Sequence, residues 1–149
     1  MSIDLYYMVE SPPCRTVLMV ARLLDIHLNL KSIDVSKSEQ MNADFVAINP
    51  CHCVPCIVDE GYVLWESRAI VTFLVNRFRP SHALYPSDPR TRATIDRLLQ
   101  FDLGSLYRSI SDYVVSYHSF RHPFPYQSLA FTHIYDPHIE SHILRQSYG

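Results

Sequence analysis

No run of basic residues appears anywhere in this chain. Thirteen lysines and arginines stand against fifteen aspartates and glutamates, a formal net charge of −2. A protein that grips nucleic acid or an anionic membrane needs a cationic stripe to neutralise phosphates, so neither is an expected partner. A long hydrophobic run is missing too. No segment approaches the roughly 20 apolar residues of a membrane span. The opening MSIDLYYMVE lacks the basic start and apolar stretch of a secretory signal. Cysteine is sparse. Three of the four lie between Cys51 and Cys56, which is not the spacing of a secreted disulfide framework. These absences make the cytosol the expected compartment.

What is present suffices for a core: 48% of the 149 residues are apolar, enough for one ordinary domain or a small domain plus part of another. Ile3 to Tyr7 reads as a short buried strand. Ser11-Pro12-Pro13 is a helix start, an N-cap followed by a residue whose φ is preset. Val17, Leu18, Val20, Ala21 and Leu24 then recur at helical spacing to about Asp25. Leu28 to Asp34 alternates as a second strand, completing a βαβ unit with parallel strands. A polar loop, Ser36 to Asn42, leads to a weak helical turn over Ala43 to Ile48, ended by Asn49-Pro50. Cys56 to Asp59 and Tyr62 to Leu64 flank a turn and predict an antiparallel hairpin. Trp65-Glu66-Ser67 opens a helix with an apolar face of Ala69, Ile70, Phe73 and Leu74, ending near Arg79-Pro80. This order, βαβαββα, is found in small folds that include the thioredoxin-like fold.

Residues 80–88, PSHALYPSD, have two prolines and no periodicity, and read as a linker. Pro89 starts a long helical pattern with a stripe of Ile95, Leu98, Leu99, Leu103, Leu106, Ile110, Tyr113 and Tyr117, which cannot be buried by one helix alone. From Ser119 the character changes to a proline- and histidine-rich tail. The expected organisation is an α/β thioredoxin-like domain over 1–79, a linker over 80–88, the start of an incomplete all-α domain over 89–118, and a divergent tail over 119–149.

Cys51-His52-Cys53-Val54-Pro55-Cys56 invites a metal reading. Structural zinc prefers four ligands in two separated pairs, and these donors are nearly contiguous with no second CxxC. His133, His138 and His142 in the tail are read as solvated. No metal is expected. Cys53 and Cys56 have redox spacing, but a strand follows them, where a low thiol pKa calls for a helix N-terminus. The helix that opens after the first strand carries Ser11-Pro12-Pro13-Cys14. Serine cannot form a disulfide. Its hydroxyl can donate to a ligand's thiolate beside the positive helix end while its oxygen caps the backbone.

Three motifs, LYYMVESPPCR (5–15), INPCHCVPCIVDEGYVLWESRAI (48–70) and LYPSDPRTRATIDRLLQFDLGSLYRS (84–109), resemble the cytosolic glutathione transferases of the arthropod delta/epsilon type. The resemblance covers residues 1 to about 117. It implies that Ser11 is the catalytic serine, that His52 binds the glycyl end of glutathione, and that Val54 pairs its backbone with the cysteinyl part. Pro55 would be the cis-proline that turns that backbone toward the ligand. Glu66 and Ser67 would hold the γ-glutamyl end, aided by the charge of Arg68. Tyr113 and Tyr117 would wall the pocket for a hydrophobic electrophile. The implied activity is conjugation of the glutathione thiolate to electrophilic small molecules in detoxification, with glutathione as co-substrate. The implied assembly is a homodimer, or a heterodimer with a full-length relative.

Cys51, Cys53 and Cys56 stand where the family more often has polar or small residues. Gln40 stands where a histidine is common. The family's remaining helices are not recognisable in 119–149. Two alternatives therefore accompany the transferase reading: a non-catalytic glutathione-binding or dimer-partner variant, and a glutathione-dependent thiol oxidoreductase using Cys14. A Tyr6 or Tyr7 hydroxyl is the runner-up to Ser11 as donor to the thiolate.

Overall fold

The computed structural model of the chain describes residues 2–113. Four strands, β1 (Ile3–Tyr7), β2 (Leu28–Ser32), β3 (Cys56–Asp59) and β4 (Tyr62–Trp65), form one sheet in the order β2-β1-β3-β4. β1 and β2 are parallel, joined through helix α1 (Pro12–Leu23). β3 runs antiparallel to β1, and β4 antiparallel to β3. Helix α2 (Ala43–Ile48) precedes β3, and helix α3 (Ser67–Phe78) follows β4. This is the thioredoxin-like arrangement.

One face of the sheet carries the core. Ile3 and Leu5 of β1 and Ile57 of β3 are buried together with Val17 and Ala21 of α1, Leu24 just beyond it, and Ile70, Leu74 and Val75 of α3. Each of these side chains larger than alanine contributes about 1.5–3 kcal/mol when removed from water. Strand alternation sends Tyr6 away from Leu5, and its ring leans on Phe45 of α2 at 5.3 Å between centroids. In the β3–β4 turn Glu60 and Gly61 both have positive φ, 51° and 89°, as a tight hairpin turn matched to strand twist requires. Arg77 of α3 pairs with the buried Asp59 at 3.5 Å and ties that turn to the helix.

Several boundaries differ from the sequence reading. β2 stops at Ser32 because its partner β1 stops at Tyr7, directly opposite. The Ile33 amide makes the last bond, to the Tyr7 carbonyl at 2.9 Å. The polar loop is folded into two 3₁₀ turns, Val35–Lys37 and Glu39–Met41. Asp34 caps the first through the Ser36 amide, and hydrogen bonds from Ser36 and Lys37 hold its carboxyl down at about 2. α3 begins at Ser67, since Trp65 still pairs with Cys56 in the hairpin and Glu66 has a φ of 70°, outside the helical region. Its buried face is Ser67, Ile70, Val71, Leu74 and Val75. Ala69 is exposed and Phe73 only half-buried, so the inward face is rotated from the expected one toward the two valines.

The chain divides into two compact units, Met1–Ile95 and Asp96–Gly149. The division falls inside helix α4 (Pro89–Phe101) and not at residues 80–88. That segment has neither helix nor strand, yet it is bonded to the start of α4. Arg92 Nε donates to the Pro86 carbonyl at 2.8 Å, and its guanidinium lies 4.4 Å from the Tyr85 ring centre. Tyr85 in turn packs on the core. Asp88 caps α4, accepting from the Thr91 amide at 2.8 Å. In the second unit α4 passes through a π-helical turn, Asp102–Leu106, and the chain is helical again to Tyr113. Leu98, Phe101, Leu103, Leu106, Ile110 and Tyr113 are exposed there. Tyr117, the histidines 133, 138 and 142, and the expected tail lie outside the described residues.

Candidate functional site

The strand register gathers three of the sequence motifs at one edge of the sheet. Cys56, the first residue of β3, lies opposite Tyr6 near the end of β1 and opposite Trp65 at the end of β4. The chain leaving β1 toward Ser11, the chain entering β3 through Pro55, and the chain leaving β4 through Glu66 therefore all emerge at this edge. Both α1 and α3 start there.

Ser11 is the N-cap of α1, and its Oγ accepts the Cys14 amide at 3.4 Å. Its own amide donates to the Met8 carbonyl at 3.2 Å, and its carbonyl accepts from the Arg15 amide at 3.0 Å. The residue is 9% exposed. With the oxygen accepting from the backbone, the hydroxyl hydrogen can be given to a ligand.

The 49–55 segment is organised by a residue that sequence reasoning treated only as a helix terminator. Asn49 is 0% exposed. Its Oδ1 accepts the Cys51 amide at 3.0 Å, a local turn of the kind asparagine favours. Its Nδ2 donates to the Cys53 carbonyl at 2.9 Å and approaches Cys53 Sγ at 3.5 Å. His52, between them, has a φ of 41° and donates its amide to the Asn49 carbonyl at 2.8 Å. The Val54–Pro55 bond that follows is cis. Among the described residues no hydrogen bond uses the Val54 amide or carbonyl. The one available signal for Asn49 was an asparagine two residues before a backbone that had to turn.

At the third element, Glu66 precedes α3 with φ 70° and ψ 104°, and its side chain gives no cap to the helix. Ser67 is buried, and its Oγ accepts from Arg68 Nη1 at 2.8 Å. The Glu66 carboxylate is felt across the edge. Burial first, and that carboxylate second, push the Cys51 thiol up. Cys53 is pushed up to about 11, chiefly by burial and also by Glu66 and Cys51.

The other sulfur sites are poor nucleophiles. Cys56 is buried and pushed up to about 12. Cys14 is 0% exposed, and burial raises its thiol, the reverse of what a redox thiol requires. All four cysteines are free. Among the described residues no three His, Cys, Asp or Glu side chains are placed to share a metal ion. Burial, then Asp4 and Cys56, raises the Tyr6 hydroxyl. Tyr7 packs against the core. Tyr113 belongs to the second unit and is 71% exposed. No helix among the described residues is long and apolar enough to cross a membrane.

The family described as the N-terminal domain of glutathione S-transferases matches residues 1–76, the span that holds all three elements of this edge. The chain belongs to the glutathione S-transferase family. Glutathione S-transferase D7 of Anopheles gambiae is 49% identical over 109 residues, which are 73% of this chain and 50% of that protein. A solved delta-class glutathione transferase of Nilaparvata lugens is 44% identical with a TM-score of 0.71, covering 74% of this chain and 52% of that one. A glutathione transferase homologue of Drosophila mojavensis, solved with bound glutathione, is 30% identical with a TM-score of 0.67, covering 69% and 47%. The similarity to insect glutathione transferases is therefore carried by sequence and fold together. The chain spans about half the length of these relatives.

Proposed function

We infer that this edge of the sheet binds glutathione and that Ser11 activates its thiol for attack on an electrophilic carbon. The observation that carries the reading is the geometry of Ser11: its oxygen accepts from the Cys14 amide at the N-terminus of α1, and its hydroxyl, whose partner within the chain is the buried Cys14 thiol, turns to donate to the ligand's sulfur instead.

In this reading glutathione lies along the 52–55 segment as an added strand. The Val54 amide and carbonyl pair with its cysteinyl part, and the turn at Pro55 presents them. His52 meets the glycyl end. Glu66 meets the γ-glutamyl ammonium, and Ser67, with the first amides of α3, receives the γ-glutamyl carboxylate. Arg68 adds positive charge beside Ser67. The ligand's thiol then faces Ser11.

The energy required is modest. A free thiol titrates near 8.5, and lowering it by about two units takes ~2.7 kcal/mol. A hydrogen bond to a charged group supplies about 1.5–3 kcal/mol, and a helix N-terminus about 0.3–1 kcal/mol. One hydroxyl and one helix end therefore suffice without a general base. The thiolate attacks an electrophilic carbon and a thioether results. Detoxification of hydrophobic electrophiles in the cytosol, with Tyr113 and Tyr117 walling their pocket and a second copy or a full-length relative as partner, completes the proposal.

A second reading keeps the ligand and drops the reaction: a glutathione binder or dimer partner without turnover. Retention on immobilised glutathione together with conjugation of chlorodinitrobenzene supports the transferase. Retention with no conjugation supports the binder. Failure to be retained contradicts both.

A further inference from the structure

We propose that Cys51 and Cys53 form a preorganised dithiol that captures a monosubstituted trivalent arsenical across its two sulfurs. Four observations converge on the pair. The same Asn49 amide group holds both residues, the Cys51 amide at 3.0 Å and the Cys53 carbonyl at 2.9 Å. His52 between them is left-handed, with φ 41°, which folds the three residues into a turn instead of an extended segment. Residues two apart are separated by at most about 7 Å even when extended. Cys51 and Cys53 are free and only half-buried, whereas Cys14 and Cys56 are sealed at 0% exposure. Finally, the Cys51 sulfur acts on the Cys53 thiol, and both feel the Glu66 carboxylate, so they share one small region.

The donor count selects the ligand class. A structural zinc site needs four ligands, and among the described residues no third donor joins a metal-binding group here. An arsenoxide, R–As=O, needs only two thiols. The two S–H bonds and the arsenic–oxygen bond break, two arsenic–sulfur bonds form, and the two protons leave with the oxygen as one water. Arsenic keeps its oxidation state, and no oxidant or reductant takes part.

The advantage of the pair over single thiols is intramolecular closure. Once one sulfur is bound, the second attacks at a high effective concentration, and a two-point attachment exceeds a one-point attachment by about 10²- to 10⁴-fold. The probe is phenylarsine oxide, added to the whole chain and followed by intact mass. The expected result is one adduct per chain, formed with loss of one water, that persists in excess 2-mercaptoethanol and is removed by dithiothreitol. Cys51→Ser and Cys53→Ser should each lose that persistence by at least about 10²-fold, while Cys14→Ser should retain it. Digestion of the wild-type adduct should place the arsenic on the peptide holding both Cys51 and Cys53, a readout independent of how any variant folds. Persistence in Cys51→Ser, loss of the wild-type adduct in 2-mercaptoethanol, or arsenic found on another peptide would overturn the proposal.

Discussion

Asn49 Nδ2 donates to the Cys53 carbonyl at 2.9 Å, so a wholly buried side chain carries the turn that presents His52, Val54 and Pro55. The same amide group accepts from the Cys51 amide at 3.0 Å. The residues proposed to meet glutathione on this segment therefore depend on a side chain with no exposure of its own.

Replacing Asn49 with alanine leaves the Cys51 amide and the Cys53 carbonyl without their buried partner and opens a hole behind the turn. The expected cost is about 2–4 kcal/mol, read from urea midpoints of wild type and variant. Retention on immobilised glutathione should weaken as well, because His52 and Val54 lose their support. A cost below about 1 kcal/mol would mean that the turn is held by its backbone alone.

Much of this arrangement was legible in the sequence where local chemistry decides it. Ser11-Pro12 marks the start of α1 because an N-cap oxygen and a preset φ act on adjacent residues. Pro50 ends α2 for an equally local reason, and Asp59-Glu60-Gly61 marks the hairpin. The inward face of α3 was not legible. Ala69, Ile70, Val71, Phe73, Leu74 and Val75 are all apolar, so helical spacing alone cannot select the face, and packing on α1 does. The attachment of residues 80–88 was hidden because it depends on Arg92, six residues past Pro86, folding back onto Pro86 and Tyr85. The second job of Asn49 was hidden because its partners come together only when the turn at 51–53 has formed.

The raised thiols make a pH prediction with a definite sign. Cys53 and Cys56 hold their protons to about 11 and about 12 in the folded chain, against roughly 8.5 for a free thiol. Between these limits the native state binds more protons than the unfolded state, so stability falls as pH rises. It is fully present below about 8.5 and drains through the alkaline range. Urea midpoints from pH 8 to 11 should decline, and Cys56→Ala should reduce the slope whatever it does to stability at neutral pH. An unchanged slope would show that other groups govern the alkaline limit.

Cys14 separates the transferase from the oxidoreductase. Its side chain is sealed in the core; it gives Ser11 a backbone amide that alanine also supplies, and a thiol contact to the Ser11 hydroxyl that a bound thiolate would replace. Cys14→Ala should keep chlorodinitrobenzene conjugation within about two-fold, at a stability cost of about 1 kcal/mol for a small buried group. Glutathione-dependent disulfide exchange that disappears in this variant would favour the oxidoreductase.

The central claim is that the Ser11 hydroxyl stabilises a bound thiolate, and the thiolate's own ultraviolet absorbance tests it most directly. Titrated in complex with the wild-type chain, the glutathione thiol should ionise about two units below its free value near 8.5. In Ser11→Ala it should return toward that value, with conjugation falling by about 10–100-fold, as expected for the loss of a hydrogen bond of about 1.5–3 kcal/mol. A wild-type complex that titrates like free glutathione, or a Ser11→Ala complex that titrates like wild type, would contradict the account.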